Sequence, residues 1–289
     1  MLIKLLAFIV LIASALAPAA IADPTQEIDT DLAIVFAVDA SSSVDDFEFA
    51  VQLRGIAHAL RQADVIDAIK SGPTGRIDVA LLLWSDAIEQ TDRYGWVRIS
   101  GEKDALNFAE LIESFPRRVR GSTSIGSAIM ASLELFGQRV DRAGRYSIDI
   151  SGDGMDNVGR DLEPTNRSTT AKRQTPASVA RSVAEKLDIT INALALPTEE
   201  RDLVNWYHLN VVTEDGFVMT AESLSVFAHA FHRKLLREIR QPVLSFPLQR
   251  IRQHHTFASR SNNRQCRGTR PVWPLLSEEG LVLPDPPKT

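Results

Sequence analysis

Between Leu32 and Val38 seven apolar or small residues run without a charge and end on Asp39-Ala40-Ser41-Ser42-Ser43. An unbroken apolar run of this length predicts a central strand of a parallel sheet that is covered on both faces. From Asp45 to Ile69 the pattern turns helical: Phe49, Leu53, Ile56 and Leu60 recur on one face, and Asp45 and Asp46 sit in a first turn where the helix dipole favours negative charge. Gly72-Pro73-Thr74-Gly75 marks a turn, and Ile77 to Trp84 is a second apolar run. Tyr94 to Ile99 predicts a short strand, and Asp104 to Phe115 a helix that Pro116 stops. A polar loop then leads through Gly121-Ser122-Thr123-Ser124 into a helix carrying Ile125, Ile129, Leu133 and Phe136. Tyr146 to Ile150 reads as a strand that runs into Ser151-Gly152-Asp153-Gly154. A helix over Pro176 to Leu187, a β-rich run from Ile189 to Leu196, an edge strand at Phe217 to Met219 and a long amphipathic helix from Ala221 to Ile239 complete the series.

Strands and helices that alternate in this way predict an α/β fold: a doubly wound, mostly parallel sheet with helices on both faces and its functional loops at the carboxyl ends of the strands. Residues 155–175 form the longest stretch without periodicity, and they start beside Asp153. A recognition loop and an ordinary surface loop fit that stretch equally well.

Composition narrows the picture. The chain has 289 residues, 44% hydrophobic and 24% charged, which suits one ordinary globular domain. Its start is different: a charge at Lys4, an apolar stretch from Leu5 to Leu16, and Ala20-Ile21-Ala22 before Asp23-Pro24 predict a cleavable export signal over residues 1–22. Pro18 and the small residues around it leave too short a core for a spanning helix. The expected product is a periplasmic or secreted domain over residues 23–240, without a transmembrane segment. Cys266 is the only cysteine and has no internal partner, so the fold must rest on its core. Residues 240–289 hold eight basic against three acidic residues, a net +5, while residues 23–239 carry −11. An acidic body of that size argues against nucleic acid as a partner. Residues 241–289, basic and interrupted by Pro271, Pro274, Pro284, Pro286 and Pro287, are expected to form a disordered tail.

Three loops carry the candidate chemistry. Asp39, Ser41 and Ser43 stand in the first, Thr123 with Ser122 and Ser124 in the second, and Asp153 in the third. All of these donors are oxygens, a set that suits a hard divalent cation, Mg2+ first and Mn2+ or Ca2+ as alternatives, rather than zinc or copper. With only two carboxylates among the donors the ion keeps much of its charge, and a six-coordinate ion retains a position for water or for an incoming carboxylate. Taken singly, each piece has a plainer reading: Asp39 to Ser43 as a helix-capping run, Gly152-Asp153-Gly154 as a turn. Asp149, a charge within an apolar strand, reads as a hydrogen-bonded core carboxylate outside the site. His229 and His232 have no evident third ligand, and Trp84, Trp96 and Trp206 read as core or rim aromatics.

Asp39-x-Ser41-x-Ser43, followed in chain order by Thr123 and Asp153, resembles a von Willebrand factor type A domain with a metal-ion-dependent adhesion site. Ile148 to Gly154, Ile191 to Ala195 and Arg233 to Ile239 resemble, more narrowly, an exported bacterial branch of that superfamily of unknown function. The likeness covers about residues 29–240 and does not extend to residues 241–289. It implies that Asp39, Ser41, Ser43, Thr123 and Asp153 hold the cation, and it selects Thr123 over Ser122 and Ser124. Where the family commonly has Thr-Asp-Gly, this chain has Gly152-Asp153-Gly154.

The function so implied is a cation-dependent binding module that takes an acidic side chain, Asp or Glu, from a protein partner. Metal-assisted phosphoryl transfer is the enzymatic alternative, and a structural envelope domain with a vestigial site is a third. Phosphatases that end their first strand in Asp use Asp-x-Asp, whose second carboxylate is an acid/base, and Ser41 occupies that place here. Neither a Gly-x-Ser-x-Gly elbow nor a phosphate loop ending in Gly-Lys occurs in the sequence.

Overall fold

The computed structural model describes residues 27–86, 91–157, 175–196 and 202–242. Six strands form one sheet: β1 (Leu32–Asp39), β2 (Ile77–Trp84), β3 (Thr91–Ile99), β4 (Tyr146–Gly152), β5 (Thr190–Ala195) and β6 (Val218–Thr220), in the order β3-β2-β1-β4-β5-β6. β1 lies in the middle, pairs in parallel with β2 and β4, and is buried along its whole length, as the uncharged run Leu32 to Val38 leads one to expect; Asp39 is buried with it. All neighbours are parallel except β3, which runs antiparallel to β2 at the edge. This is a mostly parallel α/β sheet.

Alternation along β1 divides the core. Leu32, Ile34, Phe36 and Val38 face one layer of helices, α1 (Asp46–Leu60), α2 (Ala63–Lys70), α3 (Glu102–Glu113) and, last in the chain, α7 (Phe227–Ile239). Ala33, Val35 and Ala37 face the other, α4 (Ile125–Gly137), α5 (Pro176–Lys186) and α6 (Leu203–Asn210). Small residues on this second side admit Ile125, Ile129 and Tyr207 close to the sheet. α1 starts with a capping box in which Asp45 accepts from the Glu48 amide at 2.7 Å and Glu48 accepts from the Asp45 amide at 2.8 Å.

Three elements differ from the sequence expectation. The helix expected over Asp45 to Ile69 is two helices, broken at Arg61 and Gln62. Continued in register, the stripe of Phe49, Leu53, Ile56 and Leu60 would turn Asp64 and Asp67 inward; the break lets Val65, Ile66 and Ile69 pack instead and leaves Asp64 to meet His232 at 2.9 Å. The final helix begins at Phe227 rather than Ala221, because the Ala221 amide is still paired with the Ala195 carbonyl (3.1 Å) and a short 3-10 helix, Leu224–Val226, intervenes. α6 has no counterpart in the sequence reading. It buries only Leu203 and Tyr207, too few positions to show a period.

Asp149 is a core carboxylate. Lys234 of α7, fully buried, reaches its Oδ1 at 2.6 Å and Glu238 Oε1 at 3.0 Å, and the Asn192 amide donates to Glu238 Oε1 at 2.6 Å. Burial, reinforced by the nearby Asp149 charge, pushes the Glu238 carboxyl up to about 8 against the opposing pull of Lys234. No helix among the described residues is long and apolar enough to cross a membrane. Residues 1–22, most of 155–175, Asn166-Arg167-Ser168, His254-His255, Cys266 and all of the expected tail beyond Pro242 lie outside the described residues.

Candidate metal centre

The loops after β1, before α4 and after β4 meet at the carboxyl end of the sheet. Asp39 closes β1, and its Oδ1 accepts from the Ser41 amide at 2.7 Å, a local turn that folds the loop back over the strand end. From there the polar groups form a chain: Ser41 Oγ lies 3.1 Å from Ser43 Oγ, which donates to Asp153 Oδ1 at 2.9 Å. The second loop is tied to the first by the Ser42 amide, which donates to the Gly121 carbonyl (2.8 Å). Thr123 joins the third loop through Asn157: its amide donates to Asn157 Oδ1 (2.8 Å), its carbonyl accepts from the Asn157 amide (3.0 Å), and its Oγ1 lies 3.5 Å from Asn157 Nδ2. Asp39, Ser41, Ser43 and Asp153 are thus in one hydrogen-bonded chain, with Thr123 on the adjoining loop.

Electrostatically the centre holds a carboxyl that the surrounding groups do not fully compensate. Asp39 is fully buried, and desolvation pushes its carboxyl up to about 7, helped by the Asp153 charge and opposed by hydrogen bonds from Ser41 and from the Asp153 backbone. Its Oδ2 has no hydrogen-bond partner. A buried, unpartnered carboxylate oxygen is costly and is relieved by a proton or a bound cation. Among the described residues no three His, Cys, Asp or Glu side chains stand together as a metal cluster. Any ion here must therefore use hydroxyl oxygens beside Asp39 and Asp153, a donor set for a hard cation.

Several residues outside the motif support this centre. Asp156, buried, accepts from the amides of Ile125 (2.6 Å) and Ala177 (2.8 Å) and so caps the starts of α4 and α5 together. Gln52 of α1 donates to the Asp39 carbonyl (3.1 Å) and accepts from Ser151 (2.8 Å), which bridges β1 to β4. Arg117 donates to three carbonyls of the first loop. Gly152 explains the departure from Thr-Asp-Gly: a Cβ there would stand 2.8 Å from Tyr207 Oη, 3.0 Å from Asp39 Oδ2 and 3.3 Å from Trp84 Cζ2. Polar residues just after strands are a signal for Asp156 and Asn157; nothing comparable marks Gln52 or Tyr207.

A family model described as a protein of unknown function, DUF1194, matches residues 29–243. The chain belongs to this family. In fold the chain is similar to solved structures that include a pilus adhesin and a von Willebrand factor type A protein. The pilus adhesin SpaC from Lactobacillus rhamnosus GG, in its open conformation, superposes with a TM-score of 0.51 at 14% identity, over 74% of this chain and 30% of that one. A von Willebrand factor type A protein from Catenulispora acidiphila gives 0.48 at 14% identity, over 73% and 43%. Proximal thread matrix protein 1 from the mussel byssus, with a zinc-occupied MIDAS motif, gives 0.45 at 17% identity, over 72% and 46%. The DUF1194 chain thus spans less than half the length of each of these structures. No curated protein sequence matches it. Identities this low establish the fold and leave the ligand to the chemistry of the site.

Proposed function

We propose that the protein is an exported, divalent-cation-dependent binding module, in which Asp39, Ser41, Ser43, Thr123 and Asp153 hold a cation, Mg2+ first and Mn2+ or Ca2+ as alternatives, that captures an Asp or Glu side chain of a protein partner. The observation that carries this reading is the buried Asp39 with an unpartnered Oδ2, beside a chain of hydroxyls that ends on Asp153. A hard ion placed there would neutralise the Asp39 carboxylate and suits a donor set made of oxygens. Ser42 and Ser43 are exposed, so the ion would be accessible to a partner's carboxylate. SpaC, whose fold it shares, is a pilus adhesin. Export rests on the leader-like residues 1–22.

Calorimetric titration with Mg2+, Mn2+ and Ca2+, followed by capture of envelope proteins on the immobilised chain with and without chelator, tests the reading. A single cation site and a retained partner, both lost in Asp39→Ala and Asp153→Ala variants that still fold, are expected. Retention indifferent to both substitutions and to chelator would overturn it.

A further inference from the structure

Arg117 stands outside the metal motif, yet it donates to three backbone carbonyls of the first ligand loop. It follows Pro116 at the end of α3 and turns its guanidinium inward, with only 5% of the side chain exposed. Nη2 donates to the carbonyls of Val44 (2.7 Å), Ser41 (2.8 Å) and Ala40 (3.2 Å), and Nη1 meets Asp46 Oδ1 at 2.9 Å. The guanidinium also lies 5.2 Å from the centre of the Phe49 ring. Asp46, an exposed carboxylate in the first turn of α1, takes a second ion pair from Arg120 at 2.6 Å.

These contacts constrain the loop in a specific way. Ala40 and Ser41 lie within the Asp-x-Ser-x-Ser segment and Val44 follows it, and a planar guanidinium is suited to hold several acceptors in fixed directions. Carbonyls held by Arg117 are turned toward the guanidinium, and the loop presents its hydroxyls beside Asp153. Arg117 and Thr123 belong to the same connection between α3 and α4; the strand of chain that would deliver one ligand therefore also holds the loop that would deliver three others. Asp46, shared between Arg117 and Arg120, offsets part of their positive charge beside the loop.

We infer that Arg117 is a positioning residue of the cation site: by clamping the carbonyls of Ala40, Ser41 and Val44 it fixes the Ser41 and Ser43 hydroxyls in their coordinating arrangement and so sets cation affinity. This inference rests on the cation-binding reading above. Outer groups that orient metal ligands are worth about 10- to 100-fold in affinity.

The test uses the full chain, with Mn2+ titrated by calorimetry and bound Tb3+ followed by its luminescence lifetime in H2O and D2O, which counts coordinated waters. Arg117→Gln is expected to weaken Mn2+ binding by about 10-fold or more and to add water to bound Tb3+ as the serine hydroxyls withdraw, while Arg117→Lys recovers part of both. A merely structural role would lower the melting temperature without changing the water count. Folded Arg117→Gln protein with wild-type affinity and wild-type water count overturns the inference and leaves the cation reading intact. If Arg117→Gln does not fold, Asp46→Asn at the surface decides: weaker binding with added water supports the clamp, and unchanged values overturn it. A wild-type chain that binds neither ion removes the cation reading, and the clamp with it.

Discussion

Asp39 concentrates the conflict between stability and function in one side chain. A buried carboxyl without a partner for Oδ2 destabilises the ion-free fold, and on the proposed reading the same deficit would favour a bound cation. Replacement by a neutral isostere should therefore act in opposite directions on the two. Asp39→Asn is expected to leave the melting temperature of the ion-free protein equal or higher and to abolish the rise on adding Mg2+; a lower ion-free melting temperature with the Mg2+ response intact would contradict this. Gly152 makes a second residue-level case. Because an added Cβ would meet Tyr207 Oη, Asp39 Oδ2 and Trp84, Gly152→Ala is expected to cost about 1–3 kcal/mol in denaturant unfolding. Tyr207→Phe removes the nearest of those atoms, so the cost should shrink in that background, and a double-mutant cycle without coupling would count against the contact.

At the scale of elements, α7 is bound to the sheet by charge as well as by packing. Phe227, Phe231 and Leu235 fill the core beside β1, while Lys234 and Glu238 meet Asp149 and Asn192 of β4 and β5. Lys234→Met removes the cation from two buried carboxylates and is expected to destabilise by about 3–5 kcal/mol, measured by chemical unfolding. Glu238 supplies the pH dependence. Its carboxyl is held up to about 8 in the fold against 4.5 ordinarily, so the native state carries the extra proton between those values. Its contribution to stability therefore falls as pH rises from about 4.5 to about 8. Glu238→Gln should narrow that loss: its melting temperature relative to wild type is expected to rise across the same window, and a constant difference would contradict the assignment.

Across the whole molecule, the sheet was legible because its central strands are buried on both faces and say so in their composition: Leu32 to Val38 is an unbroken apolar run, and Ile77 to Trp84 is apolar apart from Asp78, which pairs with Arg98 and Arg139. Asp39, Ser41, Ser43 and Asp153 were legible because each stands where such a strand ends, and the chain of hydrogen bonds between them follows from that placement. What escaped was fixed by tertiary contact. The break at Arg61 and Gln62 depends on which of Asp64 and Val65 faces the core, α6 is too short to display a period, and Arg117, Gln52 and Asp156 take their roles from partners tens of residues away. Nothing local distinguishes Arg117 from Arg118 in the sequence. The central claim, that oxygens from three distant loops hold one hard cation, is tested most directly by a crystal of the protein soaked in Mn2+ and measured for anomalous scattering. A single peak within coordination distance of Asp39, Ser41, Ser43, Thr123 and Asp153 is expected; no peak there, or a peak elsewhere with these residues dry of metal, would contradict it.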